Sequence, residues 1–148
     1  MISRKSILSK ISDVFEIAAS EAQSNDAEIK ELIQHSKIDI PGEFLDIIKE
    51  KTEIEISVNK EKYVRLWGAK GCIEMNDAYH IQQYIPESLA IGDDECSNAL
   101  LYARGNRGFG VYIVSFGNLG IDEMVYIADS LEEFFVNKEG VYIFNNVW

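Results

Sequence analysis

The 148-residue chain is predicted to fold as a single α+β domain, with N-terminal and C-terminal helices packed on a mostly antiparallel sheet. Three observations predict it. Apolar residues recur at three- and four-residue steps through the first 50 residues, alternate with polar ones between Glu53 and Ile127, and return to helical spacing after Ser130. A chain this long carries one core without staples, and its 47% hydrophobic content is too high for disorder. No apolar run approaches the roughly 20 residues of a membrane span.

Ile7, Leu8, Ile11, Val14, Phe15 and Ala18 predict a first amphipathic helix over 3–23. Asn25 followed three residues on by Glu28 predicts a capping box, and Ile29, Leu32 and Ile33 supply that second helix with its stripe. Pro41 forces Ile40 out of helical geometry and suits the first turn of a third helix through Phe44, Leu45, Ile47 and Ile48. Ile54, Ile56 and Val58 then alternate with Glu55 and Ser57, as Tyr63, Arg65 and Trp67 do with Val64 and Leu66, so two strands follow, joined by a turn at 60–63. Gly68 to Gly71 ends the second of them. Cys72 to Met75 reads as a short strand, and Asn76 or Asp77 as the cap of a brief helix through Ile81 and Tyr84 that Pro86 stops.

Further strands are predicted at 89–91, 99–103 and 109–116, the last two joined at the RGNRG turn (104–108), whose residues tolerate positive φ. Met124 to Ile127 is another. Ser130 and Glu133 match a capping box for a last helix that carries Leu131, Phe134 and Phe135. The tail, VYIFNNVW, suits an edge strand or a packed extension. Trp67 is expected in the core.

The net charge of −11 is placed unevenly. The first 70 residues hold 11 Lys+Arg against 13 Asp+Glu, and the remainder holds 3 against 12. Between Gly71 and Ala103 stand Glu74, Asp77, Glu87, Asp93, Asp94 and Glu95 with no lysine or arginine. Nucleic acid needs Lys and Arg against its phosphates and is not the expected ligand there, whereas a basic protein is the partner this charge suits, with acidity for solubility alone as the alternative reading. These six acids form the expected partner-binding surface, and charge in such loops is expected to contribute little to folding.

The N-terminus resembles a signal peptide in Arg4-Lys5 and Ala18-Ala19-Ser20, but Lys10, Asp13 and Glu16 break its apolar region. A cytoplasmic protein with Cys72 and Cys96 as free thiols is expected. Gly105, Gly108 and Gly110 match neither the dinucleotide nor the P-loop spacing, and strand follows them, so they read as a hairpin. Arg104 and Arg107 at its tip are the secondary candidates for binding. Cys72, Cys96 and His80 lack the close pairing of zinc ligands, Asp93-Asp94-Glu95 lacks the alternation of a calcium loop, and neither His35 nor His80 sits in a catalytic motif. No catalytic residue, metal or cofactor is expected.

The order of short motifs resembles the SUKH superfamily, which also occurs in a yeast regulator of cell-wall assembly. The resemblance spans 27–136: DIPGEFLDIIKEK (39–51) is similar to the family's Pro-led helix, VRLWG (64–68) to its strand ending near Trp, YIPESLAIGDD (84–94) to its Pro-then-Ile-Gly segment, and YIADSLEEFF (126–135) to its closing helix. The chain departs from the pattern at Lys51-Thr52 and at Asp93 to Cys96, where the family often has Asn-Gly and a glycine run. The resemblance implies a SUKH-like fold and an immunity protein: a binder, without catalytic residues, of a cognate toxin that is often a nuclease. A regulatory interaction module is the alternative it implies, and an enzyme or ligand binder using His80 and Cys72 is the third reading.

Overall fold

The computed structural model describes residues 5–147. The Ser6 hydroxyl accepts from Leu8 N at 3.2 Å and caps a single 3-10 turn, Ile7–Lys10, after which strand β1 (Phe15–Ala22) begins. The long first helix expected over 3–23 is therefore absent from the described residues; Ser3 and Arg4 lie outside them. The apolar spacing fitted a helix, but Phe15 and Ile17 also alternate, and the neighbouring strand supplies β1 with backbone partners. Ile7, Leu8 and Phe15 all reach the core without a helix between them.

Helix α1 (Asp26–His35) carries the expected capping box: Asn25 Oδ1 accepts from Glu28 N at 2.8 Å and Glu28 Oε1 accepts from Asn25 N at 2.9 Å. Helix α2 (Gly42–Ile48) follows Pro41, which stands just ahead of it rather than inside its first turn. Strands β2 (Lys51–Val58) and β3 (Lys62–Leu66) match the period-two reading, with Thr52, Ile54, Ile56 and Val58 buried.

Helix α3 (Ala69–Ala78) replaces the short strand expected at 72–75. Ala69, Cys72 and Asn76 are its buried residues, a helical spacing hidden by reading Gly68 and Gly71 as strand terminators. Asn76 is not a cap. Its Nδ2 donates to Cys72 O at 2.7 Å and Ala90 O at 2.8 Å, and its Oδ1 accepts from Ala90 N at 3.0 Å, so it pins α3 to the next strand. Asp77 stands in the last turn of α3, and the cap of α4 (Ile81–Tyr84) is His80 in left-handed geometry at φ 53°.

Strands β4 (Ser88–Asp93), β5 (Asn98–Gly105), β6 (Gly108–Ser115) and β7 (Val125–Ala128) complete the sheet, with the hairpin closed at Gly105 and Gly108. Helix α5 (Leu131–Phe135) starts where Ser130 Oγ accepts from Glu133 N at 3.1 Å. The tail forms α6 (Val141–Asn146), a packed helix rather than an edge strand. Val141 and Phe144 are buried, and Lys62 Nζ donates to Phe144 O at 3.1 Å and Val147 O at 2.8 Å.

The strands pair in chain order from β1 to β7, every neighbouring pair antiparallel. A meander of this kind needs only local connections, in keeping with the turn signals between strands. Helix α3 packs on β4 and against α1, while α2 packs on β2 and against α5. Phe15, Phe134, Phe135 and Phe144 form a ring cluster with centroids 4.9 to 5.7 Å apart, which joins the N-terminal strand to the C-terminal helices. The narrowest join is β3 to β4, where only Arg65 with Asp93 and Leu66 with Gly92 pair. A Cβ at Gly92 would run into the Arg65 carbonyl oxygen, so this close approach requires glycine.

Candidate binding cleft

A cleft of about 740 Å³ opens where β1, β2 and β3 meet the first turn of α3. Two glycines allow that meeting. A Cβ at Gly68 would lie 2.6 Å from the Thr52 side chain, and one at Gly71 would lie 2.9 Å from Glu53 Oε2. Ser24 Oγ accepts from Ala69 N at 3.0 Å and Glu53 Oε2 accepts from Gly68 N at 3.2 Å, so two donors that open α3 are met by side chains of the cleft wall.

Glu53 holds this position through unusual backbone geometry. Its φ is 46°, left-handed for a residue inside a strand, at the point where the β1–β2 register slips between Ala19–Glu55 and Glu21–Thr52. Burial pushes its carboxyl above the usual carboxylate range; Glu21 and Asp93 push the same way, against the Gly68 N–H and the Arg65 guanidinium.

Trp67 is 3% exposed and forms part of the cleft lining while its Nε1 donates to Asp93 Oδ2 at 2.8 Å. Arg65 NH2 donates to Glu55 Oε2 at 3.1 Å and Glu95 Oε1 at 3.3 Å, whereas its Nε is buried without an acceptor. A smaller hollow of about 340 Å³ adjoins the cleft, shares Glu28, Lys70 and Glu74 with it, and adds Glu31 and Ile73. Together the two hollows are lined by Glu21, Glu28, Glu31, Glu53, Glu74 and Asp93 against Arg65 and Lys70. The groove is strongly acidic.

Of the six acids expected to form a partner surface, Glu74 and Asp93 line this groove. The others are distributed elsewhere. Asp77 Oδ1 lies 2.9 Å from His35 Nε2, and Glu87 Oε2 accepts from Arg104 Nε at 3.0 Å, at the opposite end of the β4–β5 hairpin from Asp93. Asp94 accepts from Cys96 N at 3.0 Å, Asn98 N at 3.1 Å and Asn98 Nδ2 at 2.7 Å, and Asp93 Oδ1 accepts from Glu95 N at 2.7 Å. The β4–β5 turn is thus bridged by its own carboxylates, which gives the charge there a local structural partner set as well as any part in binding. Arg107 stacks its guanidinium 4.4 Å from the Tyr126 ring centre, and Arg104 lies 6.0 Å from that of Phe109, so both secondary candidates are engaged within the fold.

Cys72 is fully buried and burial pushes its thiol far up, so it carries no thiolate, while Cys96 is exposed. Among the described residues, no group of three or more His, Cys, Asp or Glu is placed to share a metal ion. Sequence reasoning missed Glu53, Arg65, Lys70 and Glu21 as site residues. The available signal was Gly68-x-x-Gly71 directly after Trp67, small residues at the spacing that lets a helix's first turn approach a strand.

The SMI1/KNR4 family (SUKH-1) profile matches residues 23–137, which is most of the chain. This chain belongs to that family. A search of curated proteins finds no match. The matched span of this SUKH-1 domain runs from the residues just ahead of α1 to the end of α5, so it contains Glu28, Glu53, Arg65, Trp67 and α3. The wall supplied by Glu21 and Ala22 of β1 lies outside it. Among the described residues, no helix is long and apolar enough to cross a membrane.

Proposed function

We propose that this SUKH-1 domain is an immunity protein that acts in the cytoplasm by binding and neutralising a basic toxin, most simply a nuclease domain. The observation that carries this reading is the sign of the groove: six carboxylates against two cations around an aromatic and aliphatic lining. A nuclease must offer positive charge to hold phosphates, and an acidic surface is its electrostatic complement. Such a field steers encounter, and close packing on the partly exposed Ile73 and Met75 then prolongs the complex.

Contact rather than catalysis accounts for the residues available. The thiol of Cys72 is buried and protonated, and His35 is paired with an exposed aspartate. The test is co-expression with basic nuclease toxin domains from the same genome. Cells survive and the two proteins co-purify if the proposal holds. A toxin that kills equally with and without this chain contradicts it.

A further inference from the structure

We propose that the free edge of β1 takes up an extended strand of the partner, whose backbone continues the seven-stranded sheet by one strand. This rests on the reading above that the partner is a basic protein, and it names the contact by which that protein is held.

The sheet has two edges, and the fold treats them differently. At β7 the edge is four residues long and the chain beyond α5 closes on it: Glu139 Oε1 accepts from Asp129 N at 2.7 Å, and a Cβ at Gly140 would run into the Ile127 carbonyl oxygen. At β1 the edge is eight residues long, and among the described residues no backbone outside β2 bonds to residues 16–22. The register slips against β2 bend this strand without shortening it, and they leave Ala18 and Ser20 with no partner residue there. Lysine, proline and short length are common guards of an edge, and FEIAASEA has none of them.

The strand's own packing gives little reason for its length. From Ala18 to Ala22 every residue is exposed, on both faces, and Ala and Glu, four of those five residues, are poor strand formers. Its order comes from backbone pairing with β2 on one side, and the other side presents a further row of N–H and C=O groups. An extended polypeptide backbone carries the complementary row, which nucleic acid does not. Charge then chooses among polypeptides. Full antiparallel overlap of β1 with β1 of a second copy sets Glu16 opposite Glu21 at both ends, and two molecules of net charge −11 repel each other. A partner strand with lysine or arginine opposite these glutamates gains where a second copy loses.

The probe is a capped octapeptide of alternating threonine and lysine, added in excess to the labelled full chain, with amide hydrogen exchange followed by NMR. The control is the same peptide methylated at every backbone nitrogen, which keeps the charge and removes the donors. The expected result is exchange slowed at least about tenfold at amides within residues 16–22 by the first peptide and not by the second. Ser20→Pro, at a position that β2 does not pair, should abolish the slowing, and Glu16→Lys with Glu21→Lys should weaken binding at least about tenfold. Far-UV circular dichroism verifies that the variants fold, and the methylated control, read on the wild-type chain, decides the matter even where proline disturbs β1.

Equal binding of both peptides, slowing confined to other strands or loops, or no slowing with the first peptide in excess would each overturn the proposal. Slowing at β1 that grows with protein concentration in the absence of peptide would also overturn it, since a second copy would then be the occupant. Toxin protection is scored separately. A chain that protects cells while β1 exchanges unchanged overturns the edge and leaves neutralisation standing; pairing at β1 in a chain that protects against no toxin domain upholds the edge and removes the toxin reading.

Discussion

Trp67 joins the core to the groove, since its ring is buried while its indole N–H holds Asp93. Trp67→Ala should destabilise the fold by about 3 to 5 kcal/mol, as large aromatic truncations do. Trp67→Phe keeps most of the packing but strands a carboxylate oxygen, at about 1 to 3 kcal/mol. Urea midpoints at unchanged slope measure both, and a Phe variant as stable as wild type would show that the hydrogen bond to Asp93 contributes nothing. Glu53 gives a pH signature. Its folded-state pKa is raised, so the stability it contributes is complete below the ordinary value of 4.5 and is lost as pH rises through the folded value. Glu53→Gln, which mimics the protonated form, should therefore raise the melting temperature at pH 7, with the gain vanishing as pH falls toward 4.5. A variant less stable than wild type at pH 7 would mean that the charge stabilises the first turn of α3 more than burial penalises it. Trp67 was legible in the sequence as core. Glu53 was not, because its side chain occupies an ordinary polar position of an alternating strand and its significance comes from a register slip made with β1.

At the scale of elements, local chemistry was readable where it closed on itself. The capping box at Asn25 and Glu28, the Ser130 cap of α5 and the hairpin at Gly105 and Gly108 each depend on residues a few positions apart. The misread elements depend on distant partners. Phe15 to Ala22 becomes a strand because β2 lies beside it, and Ala69 to Ala78 becomes a helix because Gly68 and Gly71 are spaced for close packing on Thr52 and Glu53. The β4–β5 turn carries the clearest test at this scale. Asp94 accepts three hydrogen bonds from Cys96 and Asn98, so Asp94→Ala should destabilise the domain by about 1 to 3 kcal/mol in urea titrations. Unchanged stability would return the turn to a solvated charge cluster. Replacing Asp93, Asp94 and Glu95 together by lysine would thus disturb folding and binding at once, which makes Glu21 and Glu74 the cleaner probes of charge.

Across the whole molecule, the acidity that composition placed in the second half of the sequence is divided by the fold into separate sites. Glu87 goes to one end of the β4–β5 hairpin, Asp77 pairs with His35, and Glu74 and Asp93 join acids of the first half in one groove. Sequence charge alone did not show the groove, because Glu21, Glu28 and Glu53 are spread over more than 30 positions and converge only through the β1–β2 pairing and the docking of α1 on α3. The most direct measurement is the association rate constant at low salt between this chain and the basic toxin domain proposed as its partner. Glu21→Lys with Glu74→Lys should slow it by about tenfold or more, with Glu87→Lys left near the wild-type rate. Equal rates for all three proteins would contradict an acidic groove that receives the partner.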